Sequence, residues 1–161
     1  NCRNTESVTA ATNRYCSMHA PSMPDSPMGE PPLIEHRGSP KLTAMRAWEM
    51  VHELQPQGGA VILGPYKFEN SCMARARRGH GLELTQHISK LGAAGYVLYS
   101  TVRSFKGLEA GVVVLVEVDK PGTQVNLSLE DLYVACTRSR SRLAVITTSE
   151  SACKWFTDLT K

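Results

Sequence analysis

The stretch TVRSFKGLEAGVVVLVEVD, residues 101–119, joins a strand-like end to a polar turn and then to a nearly unbroken β-branched run. A half-buried strand alternates apolar and polar residues. The run Val112, Val113, Val114, Leu115 and Val116 is apolar on both faces, so both must leave water. That is the signature of a parallel strand covered by helices on two sides. Outward from it the pattern repeats: YVLYST just upstream, LAVITT downstream and AVILGP at residues 60–65 all read as buried strands, and LIEHR as a shorter one.

Amphipathic helices fill the intervals. Thr5 or Asn4 caps a first helix whose stripe is Val8, Ala11, Tyr15 and Met18. Ser39 and Pro40 open a second, with Ala44, Ala47, Trp48, Val51 and Leu54 inward, and a Gly-Gly pair at 58 and 59 follows it. Ser128 opens a third with Asp131 three residues on, and the closing helix buries Ala152, Trp155, Phe156 and Leu159. FENSCMARARR reads as helical or irregular, and residues 84–91 as a short helix. The segment 17–32, SMHAPSMPDSPMGEPP, holds five prolines and a glycine, which exclude helix and central strand and leave a long surface loop. Strands alternating with helices predict an α/β fold, a three-layer sandwich with a parallel sheet.

The chain has 161 residues, about one domain's worth, so residues 1–161 are expected to form one domain. No run of about 18 apolar residues exists, which argues against a membrane helix and for a soluble chain. It begins Asn1-Cys2-Arg3, without an initiator Met or signal-peptide pattern, and is expected to be part of a longer protein. Five cysteines form no CxxC pair, and the odd number argues against a disulfide framework; reduced thiols and a cytoplasmic location follow. The five histidines show no zinc spacing, so no metal is expected. A net charge of +3 permits contact with a phosphate backbone without requiring it. The basic run Arg75, Arg77, Arg78 and His80 is read as a solvated face.

In such sheets ligands bind where strands end at their carboxyl side, and the loop after YVLYST is expected at such an end. Arg103 and Lys106, with Glu109 beyond Gly107, suit a nucleotide: cations face phosphate oxygens and the carboxylate accepts from a ribose hydroxyl. On spacing alone, a solvated turn in which Gly107 supplies a positive φ is the simpler reading.

A second constellation, LEDLYVACTRSRSRLAVI at residues 129–146, resembles motif VI of superfamily 1 helicases of the UvrD/Rep type. There a helix ends in a Thr-Arg pair and runs directly into a strand. TVRSFKGLE is similar to the family's motif V, commonly T-x-H-S-x-K-G-L-E, and Asn1-Cys2-Arg3-Asn4-Thr5 to its motif IV, N-Y-R-S-T. The three stand in the family's order across nearly the whole chain. The resemblance implies a RecA-like, P-loop NTPase-type second lobe. Arg138 would be the arginine finger that reaches the γ-phosphate of ATP held by the other lobe, joined by Arg3 of motif IV. Glu109 would contact the ribose, with Lys106 beside the nucleotide and Gly107 leaving the backbone room to approach. Thr101 and Arg103 would contact single-stranded DNA. Arg103 replaces the family's usual His, Ala110 a customary aromatic, and Cys2 the motif IV Tyr, so base stacking and adenine packing are altered.

The sequence contains no G-x-x-x-x-G-K-[ST], hence no phosphate cradle, and no acidic pair to hold Mg2+. ATP and Mg2+ would therefore be bound mainly by an N-terminal RecA-like lobe of the same protein. Between Gly79 and Thr101 only a short segment stands where the family often carries a large insertion. The expected function is the C-terminal domain of an ATP-dependent DNA helicase or translocase. Two alternatives are a non-catalytic interaction or regulatory module that keeps the fold, and a translocase that moves on nucleic acid without separating strands.

Overall fold

The computed structural model describes residues 4–54 and 59–161. Arg3, and with it most of the motif IV resemblance, lies outside the described residues, as does Gly58.

The predicted strands pair into one sheet. Its members are β1 (Leu33–His36), β2 (Ala60–Gly64), β3 (Arg78–Gly79), β4 (Leu82–Thr85), β5 (Tyr96–Thr101), β6 (Ala110–Val118) and β7 (Ser139–Thr147), ordered β1-β7-β6-β2-β5-β4-β3. Every pairing is parallel except the small β3–β4 hairpin at one edge. The β-branched run forms β6, which sits between β7 and β2 and is buried along nearly its whole length.

Period-two alternation then builds two cores. Val61, Leu63, Val113, Leu115, Leu143 and Val145 face one way and meet helices α1 (Glu6–Cys16), α3 (Leu129–Cys136) and α4 (Glu150–Thr160) through Val8, Tyr15, Leu132 and Phe156. Ala60, Ile62, Val112, Val114, Ala144 and Ile146 face the other way, under α2 (Pro40–Leu54) and two 3-10 turns, Phe68–Asn70 and Cys72–Arg75. Helices on both faces of a mostly parallel sheet make the three-layer α/β/α sandwich.

Local chemistry sets the helix boundaries. Thr5, not Asn4, caps α1, its hydroxyl accepting the Val8 N–H. The Pro-rich segment 17–32 contains no helix or ladder strand and folds back on that helix start, where the Pro27 and Met28 carbonyls accept the N–H groups of Glu6 and Ser7. Donors left over at a helix start are thus satisfied by the loop. Ser39 caps α2 through Leu42 N–H, and α3 carries a full capping box between Ser128 and Asp131. Leu54, Trp155 and Leu159 are partly buried against the cores, as expected.

Three expectations fail. Met18 lies beyond α1, which ends at the left-handed Ser17, and is 42% exposed rather than part of the stripe. Residues 84–91 are not a helix: Leu84 and Thr85 belong to β4, paired with β5, and only a 3-10 turn, Ile88–Lys90, follows. The apolar spacing there is equally consistent with a short strand, and pairing with β5 supplies the ladder bonds that decide it. The third is that β7 begins four residues early, at Ser139, because Ser139 pairs with Ala110 across the start of β6. The four described cysteines, Cys16, Cys72, Cys136 and Cys153, are free thiols.

Candidate functional site

The polar loop between β5 and β6 crosses the sheet from one end to the other. Thr101 ends β5 at the carboxyl side, level with Gly64 of β2, whereas Ala110 begins β6 at the amino side beside Ser139 of β7. Val102 and Phe105 are buried beneath the crossing and anchor it to the core. The expectation that the whole loop lies at the carboxyl ends therefore needs correction. Its first residues do; Glu109 stands at the opposite rim, roughly 20 Å away along six strand residues.

At the carboxyl rim, Thr101 organises the turn: its hydroxyl donates to Ser104 Oγ (2.8 Å) and accepts Ser104 N–H (3.2 Å). Beside it opens a groove of about 460 Å3 whose lining includes Gly64, Lys67, Asn70, Thr101, Arg103 and Asn126. Arg103 is turned onto the helix start of α3, with Nη2 3.0 Å from Asp131 Oδ2. Both the expected nucleic-acid residues thus share one groove. Lys67, Asn70 and Asn126 were missed in the sequence. The signal was available, because Gly64-Pro65 ends a buried strand and the strand-end rule applies to β2 as much as to β5.

A neighbouring bulge shapes this rim. Between Leu115 and Val118 the β6–β7 register shifts, and Glu117 adopts φ 58°. Its carboxylate accepts the Cys72 N–H at 3.0 Å and its carbonyl accepts from Gln124 Nε2 at 2.8 Å. Burial raises the Glu117 carboxyl above its usual pKa, partly offset by the bond from Cys72. A larger hollow, about 650 Å3, lies between α2 and the 3-10 turns and shares only Asn70 with the groove. None of the motif residues lines it.

At the amino rim, α3 delivers Arg138 immediately before β7. Its guanidinium lies back on the helix end: Nε donates to Val134 O (3.1 Å), Nη2 to Thr137 Oγ1 (3.1 Å) and Nη1 to Leu108 O (3.4 Å). The Arg138 carbonyl accepts Ala110 N–H at 3.0 Å. Glu109, with its side chain 34% exposed, lies 4.0 Å from Arg140 Nε. Asn4 Nδ2 donates to Cys136 O (3.3 Å), which brings the start of α1 to the same rim. Arg138, Glu109 and the α1 start are therefore gathered together, away from Thr101 and Arg103. Lys106 occupies the exposed crossing. Gly107 has φ +88° and open space where a Cβ would stand, so its requirement is conformational and not close packing.

The loop and α3 run side by side between the rims and are tied at both ends. Arg103 meets Asp131 at the carboxyl side; Arg138 meets Leu108 at the amino side. Among the described residues no group of three or more His, Cys, Asp or Glu side chains is placed to hold a metal ion, and no helix is long and apolar enough to cross a membrane.

Comparison with known proteins places this arrangement. No curated protein matches the chain. A solved structure described as the C-terminal domain of a possible DNA helicase from Lactobacillus plantarun WCFS1 superposes with a TM-score of 0.58 at 18% identity, over 90% of this chain and 86% of that one, which supports the fold. The family model of the UvrD-like helicase C-terminal domain matches residues 96–146, the stretch from β5 through the crossing loop and α3 into β7. Residues 96–146 are thus similar to the UvrD-like helicase C-terminal domain, and they sit within an α/β/α sandwich whose fold is shared with a solved helicase C-terminal domain.

Proposed function

We propose that this chain is the second RecA-like lobe of an ATP-dependent DNA helicase or translocase, which completes an ATP site on one rim and grips single-stranded DNA on the other. The observation that carries the reading is the partition of motif residues. Thr101 and Arg103 line a groove at the carboxyl rim, while Glu109 and Arg138 lie at the amino rim, where Asn4 at the start of α1 bonds the Cys136 carbonyl. A motor that converts nucleotide state into movement along a strand needs two such sites joined by stiff elements, and the crossing loop and α3 join these two.

The residues present fit part of an ATP site. Arg138 and Arg3 would face the γ-phosphate, Glu109 the ribose, and Lys106 the polyphosphate edge. The sequence carries no phosphate-cradling loop, and on this reading the cradle and Mg2+ are supplied by an N-terminal RecA-like lobe of the same protein. ATP supplies the driving hydrolysis when held between the two; this lobe contributes cations that offset charge as the phosphoryl group transfers. A cytoplasmic setting accords with the free thiols of the described cysteines.

The test is Arg138→Ala in the intact protein. ATP binding should persist while hydrolysis falls by about 10³-fold or more, as for arginine fingers generally. Unchanged hydrolysis would remove Arg138 from this role. One observation favours the second reading, a non-catalytic module: the Arg138 guanidinium already has three acceptors within its own lobe. On that reading the same substitution lowers stability and leaves turnover unaffected.

A further inference from the structure

Arg103 and Lys67 are the basic side chains among the residues lining the groove at the carboxyl rim. Lys67 is exposed and faces solvent; Arg103 is engaged. Its Nε lies 3.3 and 3.1 Å from the two Asp131 oxygens and its Nη2 3.0 Å from Oδ2, although its side chain is 69% exposed. Asp131 is 16% exposed and is held independently of Arg103: its Oδ2 accepts Ser128 N–H at 3.1 Å while its own N–H donates to Ser128 Oγ at 3.1 Å. The carboxylate is therefore the fixed partner, locked into a helix cap, and the arginine is the movable one.

A carboxylate and a phosphate can each accept paired N–H donors from a guanidinium, and an exposed ion pair holds only weakly. Partial desolvation works against the Asp131 charge, but the hydrogen bonds from Arg103 and Ser128 keep its carboxyl below the ordinary range. It remains a charged acceptor at neutral pH. We propose that Asp131 is an internal stand-in for a nucleic-acid phosphate: it holds Arg103 when no strand is bound and yields it to a backbone phosphate in the groove. Asp131 thereby sets the affinity and salt dependence of strand binding. This rests on the reading that the groove takes single-stranded DNA.

The consequence is a thermodynamic competition. Wild-type protein must break one ion pair to make one phosphate contact, whereas Asp131→Asn leaves Arg103 free and keeps an oxygen for the Ser128 cap. Titrating a fluorescein-labelled oligodeoxythymidine into the intact protein, from about 50 to 200 mM salt, reads the difference. D131N should bind about two- to five-fold tighter at low salt, the range of an exposed ion pair. Its dependence of log K on log salt should steepen by up to about 0.7, one single-strand phosphate's worth. Arg103→Ala should bind more weakly with a shallower slope, and adding D131N to R103A should change little.

Affinity unchanged in D131N overturns the proposal. So does an equal gain in the R103A background, which would mark a general effect of lost negative charge. Wild-type protein that fails to bind the oligonucleotide overturns the groove reading and the competition together; binding by wild type with no response to D131N overturns the competition alone. Melting curves accompany each variant, and Asp131→Ser, which also keeps a capping oxygen, is read by the same criteria should D131N not fold.

Discussion

Gly107 illustrates how a residue's role is decided by its backbone. Elementary turn chemistry assigned it a positive φ, and the backbone has it, at +88°, with nothing of the protein within 4 Å of the place a Cβ would occupy. Gly107→Ala should therefore destabilise by about 1 kcal/mol through backbone strain, and Gly107→Asn by less, since Asn enters the left-handed region more readily. Chemical denaturation of the two variants checks the order; equal costs would point to a contact instead. The Arg138 guanidinium is held by three acceptors of its own chain. The residue ends a helix and bonds that helix's carbonyl at Val134, as any cation there could, but its third bond reaches across to Leu108 in the crossing loop. Lysine lacks the planar fork to serve all three acceptors.

Among the elements, β1 and α2 are joined by a charge network that the sequence did not advertise. Arg46, with its side chain 13% exposed, reaches Glu35 on β1 at 2.8 Å and Glu53 on its own helix at 2.7 Å. Hydrogen bonding from Arg46, against a smaller desolvation cost, holds the Glu35 carboxyl below its usual range. A carboxylate depressed in the native state binds fewer protons there than in the unfolded chain, so its contribution is present above the unfolded value of about 4.3 and is lost as pH falls through the native one. Arg46→Ala should cost about 1–2 kcal/mol at pH 7 and flatten the acid limb of the stability curve below about pH 5. Urea midpoints across that range measure both, and a variant with an unaltered acid limb would count against the network. The same scale explains the misread segment 84–91. Leu84 is buried beside Val97, and a parallel partner that is distant in sequence outweighs a local helical spacing.

For the whole molecule, the arrangement of strands carries the functional consequence. Because β5 and β6 are parallel but not adjacent, with β2 between them, the chain must cross from one rim to the other in the few residues of the motif V loop. The crossing makes that loop the shared property of both rims. If the proposed division of labour holds, the 161-residue chain alone hydrolyses essentially no ATP, because the phosphate cradle is elsewhere; a robust turnover measured on the purified chain would contradict it. Addition of an N-terminal lobe bearing the cradle should restore hydrolysis, dependent on Arg138.

The α/β class, the capped helices and the buried strands were legible in the sequence because each depends on local chemistry: periodicity, a Ser or Thr before a helix, an apolar run such as Val112 to Val116. The motif V and VI patterns were legible for the same reason, being short and contiguous. Only the tertiary structure decided that Glu109 and Arg103, six residues apart, stand on opposite rims, that Lys67, Asn70 and Asn126 join Thr101 in one groove, and that Asp131 holds Arg103. Those facts follow from strand order and from contacts between residues far apart in the chain, and strand order is set by which buried faces pack together, a quantity no local window of sequence contains.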